Sequence, residues 1–440
     1  MNYKIKSIVL IQFAILALIT LLSVLPATAH KERHGFLRVP VFFITDRNLL
    51  PAKSNSDIIQ FGPHRKYIGD CKHEPFLGTA YCVVENIEGK PLSNDLKALG
   101  WTEAQAKDKE GNYKATLLPG DKFVNIEKDF FEKVHQKALL TPDKNIFVFA
   151  HGYKNSFASG LHTAAKLAYY AQRPLIFYSW PSVCAFRSYT SDEGNVEWSQ
   201  EHYNRLVEQI DKLCTADPSI KMRLFAHSMG TRLVVRASPL LREKTWLTEA
   251  SLVCPDIDDG LVKHYASRYL SANGTTTIRI YMSQHDKALA ISQIIHGGYC
   301  RFGECADSLS GWALGALMPN QDNNSTANAE EDKKLAEVLE RTKHRMQTID
   351  FTNIDYGILG HKIPAELICS MSFTNGPCKG LKLIPEESGQ RSGLSQKLSF
   401  LTKLGEKPEL TVKGTCLRVV KADAPISKKL AKVLVQATPN

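Results

Sequence analysis

The sequence has no Cys-x-x-Cys pair and no His/Cys cluster with zinc-ligand spacing, so nothing in its linear pattern announces a structural metal site. It has no Lys/Arg block interleaved with aromatics. That argues against a dedicated nucleic-acid surface, although the net charge is +10. No internal repeat is present, which sets aside solenoids and propellers. Long apolar runs are also scarce, with one exception at the N-terminus.

That exception runs from Ile8 to Leu25, after Lys4 and Lys6 and before Pro26, Ala27 and Ala29. A basic start, an apolar middle and an Ala-x-Ala ending predict a secretory signal, residues 1–29, cleaved to leave His30 first. Retention of the run as a short membrane anchor is the alternative. No cysteine lies at the boundary to carry a lipid. Cleavage removes two lysines and no acids, lowering the net charge to +8, a value compatible with association at an anionic membrane surface. All ten cysteines follow the signal, as befits an oxidising compartment. Close neighbours in sequence are Cys71 and Cys82, Cys300 and Cys305, and Cys369 and Cys378, and at least one disulfide is expected, first of all Cys300–Cys305 or Cys369–Cys378.

The 43% hydrophobic and 23% charged shares are those of a globular chain. "RVPVFFITDRN" (38–48) reads as a buried strand, and residues 60–143 mix short β-like runs with a lysine-rich helix. From residue 145 strands alternate with helices: "NIFVFAHGY", then "SGLHTAAKLAYYA", "PLIFYSWP", "EWSQEHYNRLVEQIDKLC", "KMRLFAHSMG", "EASLVCPDID" and "TTIRIYMSQHD". This alternation predicts a mostly parallel sheet with helices on both faces, its functional residues gathered at the carboxyl ends of the strands. Residues 318–345 are a polar insertion before an expected last strand, "MQTIDFTNI". Residues 30–378 then form the main domain, and 379–440 a basic C-terminal extension of unassigned role, with one β-like run, "ELTVKGTCLRVV".

Ser228, in "FAHSMG", sits where an apolar strand gives way to a helix, with small residues Ala226 and Gly230 two places to either side. A serine on such an elbow projects its hydroxyl from the sheet, while the next helix offers N–H groups to an oxyanion. The plainer role for that serine is a helix cap. His151-Gly152-Tyr153 ends another strand, where Gly152 would allow close backbone approach and the loop could supply a second oxyanion N–H beside that of the residue after the nucleophile; the plainer reading is a strand-ending turn with a glycine. An acid and then a histidine should follow in sequence. Asp286 ends the "TTIRIYMSQHD" strand and His361 follows the last strand, while Asp256, Asp258 and Asp259 are rival acids. His227 and His285 compete with His361 less well, the first pointing off the elbow.

Taken together, "VFFITDRN", "FVFAHGYKNSF", "IFYSWPS", "FAHSMGTRLVVRA", "PDIDDGLVKHY" and "YMSQHDKAL" make the chain resemble an uncharacterised bacterial family of α/β hydrolases of the esterase/lipase superfamily. The resemblance spans residues 39–361 and stops short of the tail. It implies an α/β-hydrolase fold with Ser228 as nucleophile, Asp286 as acid and His361 as base, and backbone at Tyr153 and Met229 as the oxyanion hole. It also sets Tyr189 and Asp192, within a cap-loop-like stretch, beside His151 and Gly152 at the substrate. Ala226 stands where the elbow usually carries glycine. The expected activity is hydrolysis of a carboxylic ester or related acyl bond in a small molecule or lipid, without metal or cofactor. An acyltransferase with the same triad, or a non-catalytic envelope binding protein on the same fold, are the alternatives. Oligomeric state has no signature in the sequence.

Overall fold

The computed structural model describes residues 35–51, 59–67, 74–87, 89, 91–105, 113–118, 123–185, 187–270, 274–283, 286–299, 301–303, 337, 341–342, 345–352, 361, 363–374, 381–385 and 415–421. The expected signal, most of the polar insertion, His285, and Cys71, Cys300, Cys305 and Cys378 lie outside them.

The strands are β1 (Phe36–Thr45), β2 (Arg47–Leu49), β3 (Phe61–Arg65), β4 (Phe76–Glu85), β5 (Thr102–Ala104), β6 (Tyr113–Leu117) and β7 (Asn145–Ala150). They continue as β8 (Leu175–Ser179), β9 (Lys221–His227), β10 (Leu247–Val253), β11 (Thr277–Met282), β12 (Met346–Asp350), β13 (Leu381–Pro385) and β14 (Thr415–Lys421). A 12-stranded sheet has the order β13-β14-β12-β11-β10-β9-β7-β8-β1-β4-β6, with β5 paired to β1. Every pairing from β14 across to β1 is parallel; β13, β4, β5 and β6 pair antiparallel at the flanks.

The main helices are α1 (Phe123–Leu139), α2 (Phe157–Ala171), α3 (Tyr189–Trp198), α4 (Gln200–Ala216), α5 (Thr231–Arg236), α6 (Asp259–Tyr269), α7 (Lys287–Ile295) and α8 (Ala365–Thr374). The central strands show why both faces must be covered. In β7, Ile146, Val148 and Ala150 pack into one core with Phe130 and Val134 of α1 and Leu206 and Ile210 of α4. Phe147 and Phe149 point the other way, into a second core with Leu161 and Ala164 of α2 and Leu367 and Ile368 of α8. Alternate residues thus serve opposite faces, and a strand buried on both sides reads as an unbroken apolar run. Burying a side chain of that size contributes about 1.5–3 kcal/mol. Ser156 fixes the start of α2 by accepting from Ser159 N at 3.1 Å, and Gly160 lets the helix approach the sheet, since a Cβ there would lie 2.5 Å from the Phe177 ring.

The chain order reverses beside β7. From β7 it crosses to β8 on one side, then returns to β9 on the other, which places the ends of β7 and β9 side by side. Such a switch point leaves a crevice above the carboxyl ends of two parallel strands. Beyond β12, where the sequence suggested the sheet would end, β14 adds parallel to β12 and β13 adds antiparallel to β14, so residues 381–385 and 415–421 of the expected extension are part of the sheet.

Among the described residues no disulfide is formed, against the expectation of a Cys369–Cys378 bridge. The reason is where α8 places the side chain. Cys369 is 1% exposed, carries a free thiol and donates to Leu167 O at 3.4 Å, so it is packed against α2 and turned away from solvent. Burial pushes its pKa far up, which holds it as an unreactive thiol.

Candidate active site

Ser228 follows β9 at once and opens a single 3-10 turn (Ser228–Gly230) that leads into α5. Its φ is +51°, a left-handed conformation that a non-glycine residue holds at a cost of about 1–3 kcal/mol. The surroundings impose it. Asp256 N donates to Ser228 O at 3.2 Å and Thr231 Oγ1 donates to the same carbonyl at 2.7 Å, locking the turn from two sides. The end of β7 presses from a third. A Cβ on Gly230 would lie 2.3 Å from His151 O and 2.9 Å from Ala150 O, so only glycine fits there. Ala226, opposite Ala150 in the sheet register, meets no such demand and tolerates its methyl.

Gly152 makes the reciprocal approach. A Cβ there would come within 2.8 Å of Ser228 Cβ and of His227 Nδ1, so the loop after β7 lies directly against the elbow. Met229 is fully buried behind the turn, and Tyr153 is partly buried, with its hydroxyl donating to Ala185 O at 2.9 Å. Met229 thus follows Ser228 in the elbow turn, and Tyr153 follows the glycine that lies against it.

The candidate acid and base meet. His361 Nδ1 donates to Asp286 Oδ2 at 2.6 Å, bringing together two residues 75 positions apart. Asp286 is 4% exposed, and its other oxygen accepts from Leu289 N at 3.0 Å, so it also caps α7. Burial by itself would lower the His361 pKa, but the Asp286 charge and hydrogen bond outweigh it and raise the value above the ordinary histidine range. The backbone carbonyl of His361 is held by His227 Nε2 at 3.0 Å.

Asp256 has different partners. Its carboxylate accepts from Arg301 Nε at 2.9 Å, from Ser292 Oγ at 2.6 Å and from the Tyr189 hydroxyl, while Arg232 Nε donates to its backbone carbonyl at 2.9 Å. Burial would raise its pKa, and the Arg232 and Arg301 charges more than offset this, holding it low. It is the centre of a buried ion network below the elbow. The rival Asp258 caps α6 through Leu261 N at 3.0 Å, and Asp259 is the first residue of that helix.

The remaining sequence candidates bond to Asp256 and to the loops after β7 and β8. Tyr189 starts α3, bonds Asp256 and Ser292, and lies 5.1 Å from the Tyr153 ring. Asp192, fully buried, accepts from Ser182 Oγ at 2.5 Å and Val183 N at 2.7 Å, tying α3 to the loop after β8. Burial raises its pKa in spite of these bonds. His151 is 1% exposed, stacks on Trp180 at 4.8 Å and donates from Nδ1 to Gly152 O at 2.7 Å. Burial, then the nearby Arg47 charge, push its pKa down to about 3, so it is a neutral brace beneath the loop.

Arg47 is the residue that sequence reasoning passed over. It is fully buried after β1, and burial lowers its pKa to about 10. Its guanidinium reaches Ser182 O at 3.0 Å, Asn155 O at 2.6 Å and His151 Nε2 at 3.3 Å, clamping the loops after β7 and β8 together. A charged pair, Asp46-Arg47, closing an otherwise apolar strand was the available signal.

The parallel sheet, the elbow at the switch point and the crossing helices define an α/β-hydrolase fold. Residues 127–313 match the family described as "Alpha/beta hydrolase of unknown function (DUF900)", a span that takes in β7 to β11, Ser228 and Asp286 and ends before His361. Fold and match together give this protein an α/β-hydrolase fold whose central segment is similar to a family of unknown function. None of the curated proteins compared with the chain matches it.

Proposed function

We propose that the protein is a serine hydrolase of carboxylic esters or related acyl bonds, working through Ser228, His361 and Asp286. The observation that carries the reading is the 2.6 Å contact of His361 Nδ1 with Asp286 Oδ2 at the sheet end where Ser228 is held with positive φ. With Nδ1–H committed to Asp286, the lone pair of His361 is on Nε2, the tautomer a general base needs. His361 then takes the proton as Ser228 Oγ attacks the carbonyl carbon, and Asp286 stabilises the imidazolium. The carbonyl oxygen, now anionic, is received by the N–H groups of Met229 and Tyr153. Collapse expels the alcohol with the proton from His361. Water, activated by the same imidazole, attacks the acyl-enzyme and releases the acid and free Ser228.

The substrate class is an acyl ester of a small molecule or lipid met outside the cytoplasm, the location that the N-terminal signal supports. Among the described residues no helix is long and apolar enough to cross a membrane. Labelling with a fluorophosphonate tests the nucleophile: one serine should react in the wild type and none in Ser228→Ala. Undiminished labelling of that variant would end the proposal.

A further inference from the structure

Cys254 takes no part in the chemistry above, yet it shares space with the histidines of the elbow. It follows β10, fully buried and with φ of +45°, and its backbone N–H is fixed on Tyr281 O at 2.8 Å. The ligating atoms of His227, Cys254 and His361 all lie within 4.8 Å of one another. Tetrahedral Zn2+, with Zn–N of about 2.0–2.1 Å and Zn–S of about 2.3 Å, spaces such ligands roughly 3.4–3.6 Å apart. Side-chain movements of about 1 Å would therefore close the three onto an ion.

The hydrogen bonds leave the needed lone pairs in place. Asp286 occupies Nδ1 of His361, which leaves Nε2. The His361 carbonyl takes the proton on Nε2 of His227, which leaves the lone pair of Nδ1, and a Cβ on Gly152 would meet both that atom and Ser228 Cβ at 2.8 Å. A carboxylate behind an imidazole is also the support that orients and strengthens a metal-binding histidine. One thiolate and two imidazoles form a donor set suited to Zn2+, and the three leave a fourth position for water or for the Ser228 hydroxyl. Spacing along the chain hides the set, because its members come from three separate strand ends.

We infer that His227, Cys254 and His361 form an inhibitory Zn2+ site. Binding releases the Cys254 proton to solvent and engages Nε2 of His361, so that atom can no longer accept the Ser228 proton; a chelator removes the ion and restores the base. The inhibition rests on the serine-hydrolase reading above, whereas metal binding itself does not.

Co2+ serves as the spectroscopic probe. Titrated into the mature protein, it should give a thiolate-to-cobalt charge-transfer band at one ion per chain, displaced by Zn2+ and missing from Cys254→Ser. Fluorophosphonate labelling of Ser228 should fall to background with stoichiometric Zn2+ and return with EDTA, while Cys254→Ser labels at the wild-type rate with or without Zn2+. Circular dichroism confirms that the variant is folded. Should it not fold, His227→Gln takes its place in the metal titration alone, with metal affinity expected to fall about 10–100-fold. No band, or a band that survives both substitutions, overturns the site. A band that depends on Cys254 together with labelling indifferent to Zn2+ overturns the inhibition. Labelling absent even without metal overturns the hydrolase reading and leaves the band to decide the site.

Discussion

Replacing each of two buried aspartates by asparagine separates the proposed triad acid from a carboxylate that only holds the fold. Asp286→Asn keeps the helix cap, because asparagine caps as well as aspartate and Leu289 N retains an oxygen at the same place. What it removes is the charge 2.6 Å from His361 Nδ1. The imidazole then loses both its tautomer and its counter-charge, and turnover should fall on the order of 10⁴-fold with little change in stability. Asp256→Asn does the opposite. Arg301, 3% exposed, donates to the Asp256 carboxylate, and Arg232, 6% exposed, pairs with Glu193 and donates to the Asp256 backbone carbonyl, so neutralising Asp256 takes a negative charge from the centre of this buried set. Breaking such a buried set costs about 3–5 kcal/mol, so the midpoint of urea unfolding should drop sharply while turnover per folded molecule changes little. The assay is hydrolysis of a short-chain p-nitrophenyl ester, normalised to the folded fraction by circular dichroism. A stable, inactive Asp256→Asn beside an unstable, active Asp286→Asn would reverse the assignment and refute the reasoning.

Gly230→Ala should lower stability by about 1–3 kcal/mol and suppress phosphonate labelling, since its methyl would meet two backbone oxygens that cannot move aside; wild-type melting and labelling would contradict that packing. The His361 pKa is raised, so the acid limb of kcat/KM should lie above the ordinary histidine value, and Asp286→Asn should move it downward. His151 behaves with the opposite sign: its folded pKa of about 3 lies below the unfolded value, so its contribution is intact at neutral pH and lost as pH falls toward 3. Between pH 7 and 5 this amounts to about 2 kcal/mol, the amount by which His151→Asn should flatten that part of the stability profile in urea titrations. N-terminal sequencing of the exported protein should read from His30, and a chain that begins at Met1 in the membrane fraction would favour the anchor.

Strands such as β7, β8 and β9 were legible because burial on both faces makes most of their residues apolar, and the helices between them because one face is apolar and one is not. The elbow was legible for a local reason: a serine between a strand and a helix, with glycine two residues on, records the crowding that the left-handed φ and the approach of His151 O create. Contacts between distant segments leave no such trace. β14 pairs with β12 across more than sixty intervening residues, and its apolar run does not say which edge it joins. Arg47 braces the loops after β7 and β8 through backbone carbonyls, which any sequence could supply. The meeting of His227, Cys254 and His361 depends on three segments distant in sequence converging at one end of the sheet.

The two aspartates show where sequence reasoning reaches its limit and why. Asp256 and Asp286 each follow a strand and precede a helix, so capping and catalysis stood as competing roles for both. They do not compete, because a carboxylate has two oxygens. At Asp286 one oxygen caps α7 and the other faces His361, so the cap is what aims the acid: with Oδ1 tied to Leu289 N, the carboxylate cannot rotate away from the imidazole. At Asp256 the helix is capped by Asp258 instead, and both oxygens are given to Arg301, Ser292 and Tyr189, leaving none for a histidine. The role of each aspartate is therefore decided by whether a second oxygen remains once the first is committed. That is a property of partners brought from residues 189, 292, 301 and 361, and no window of sequence around either aspartate contains it.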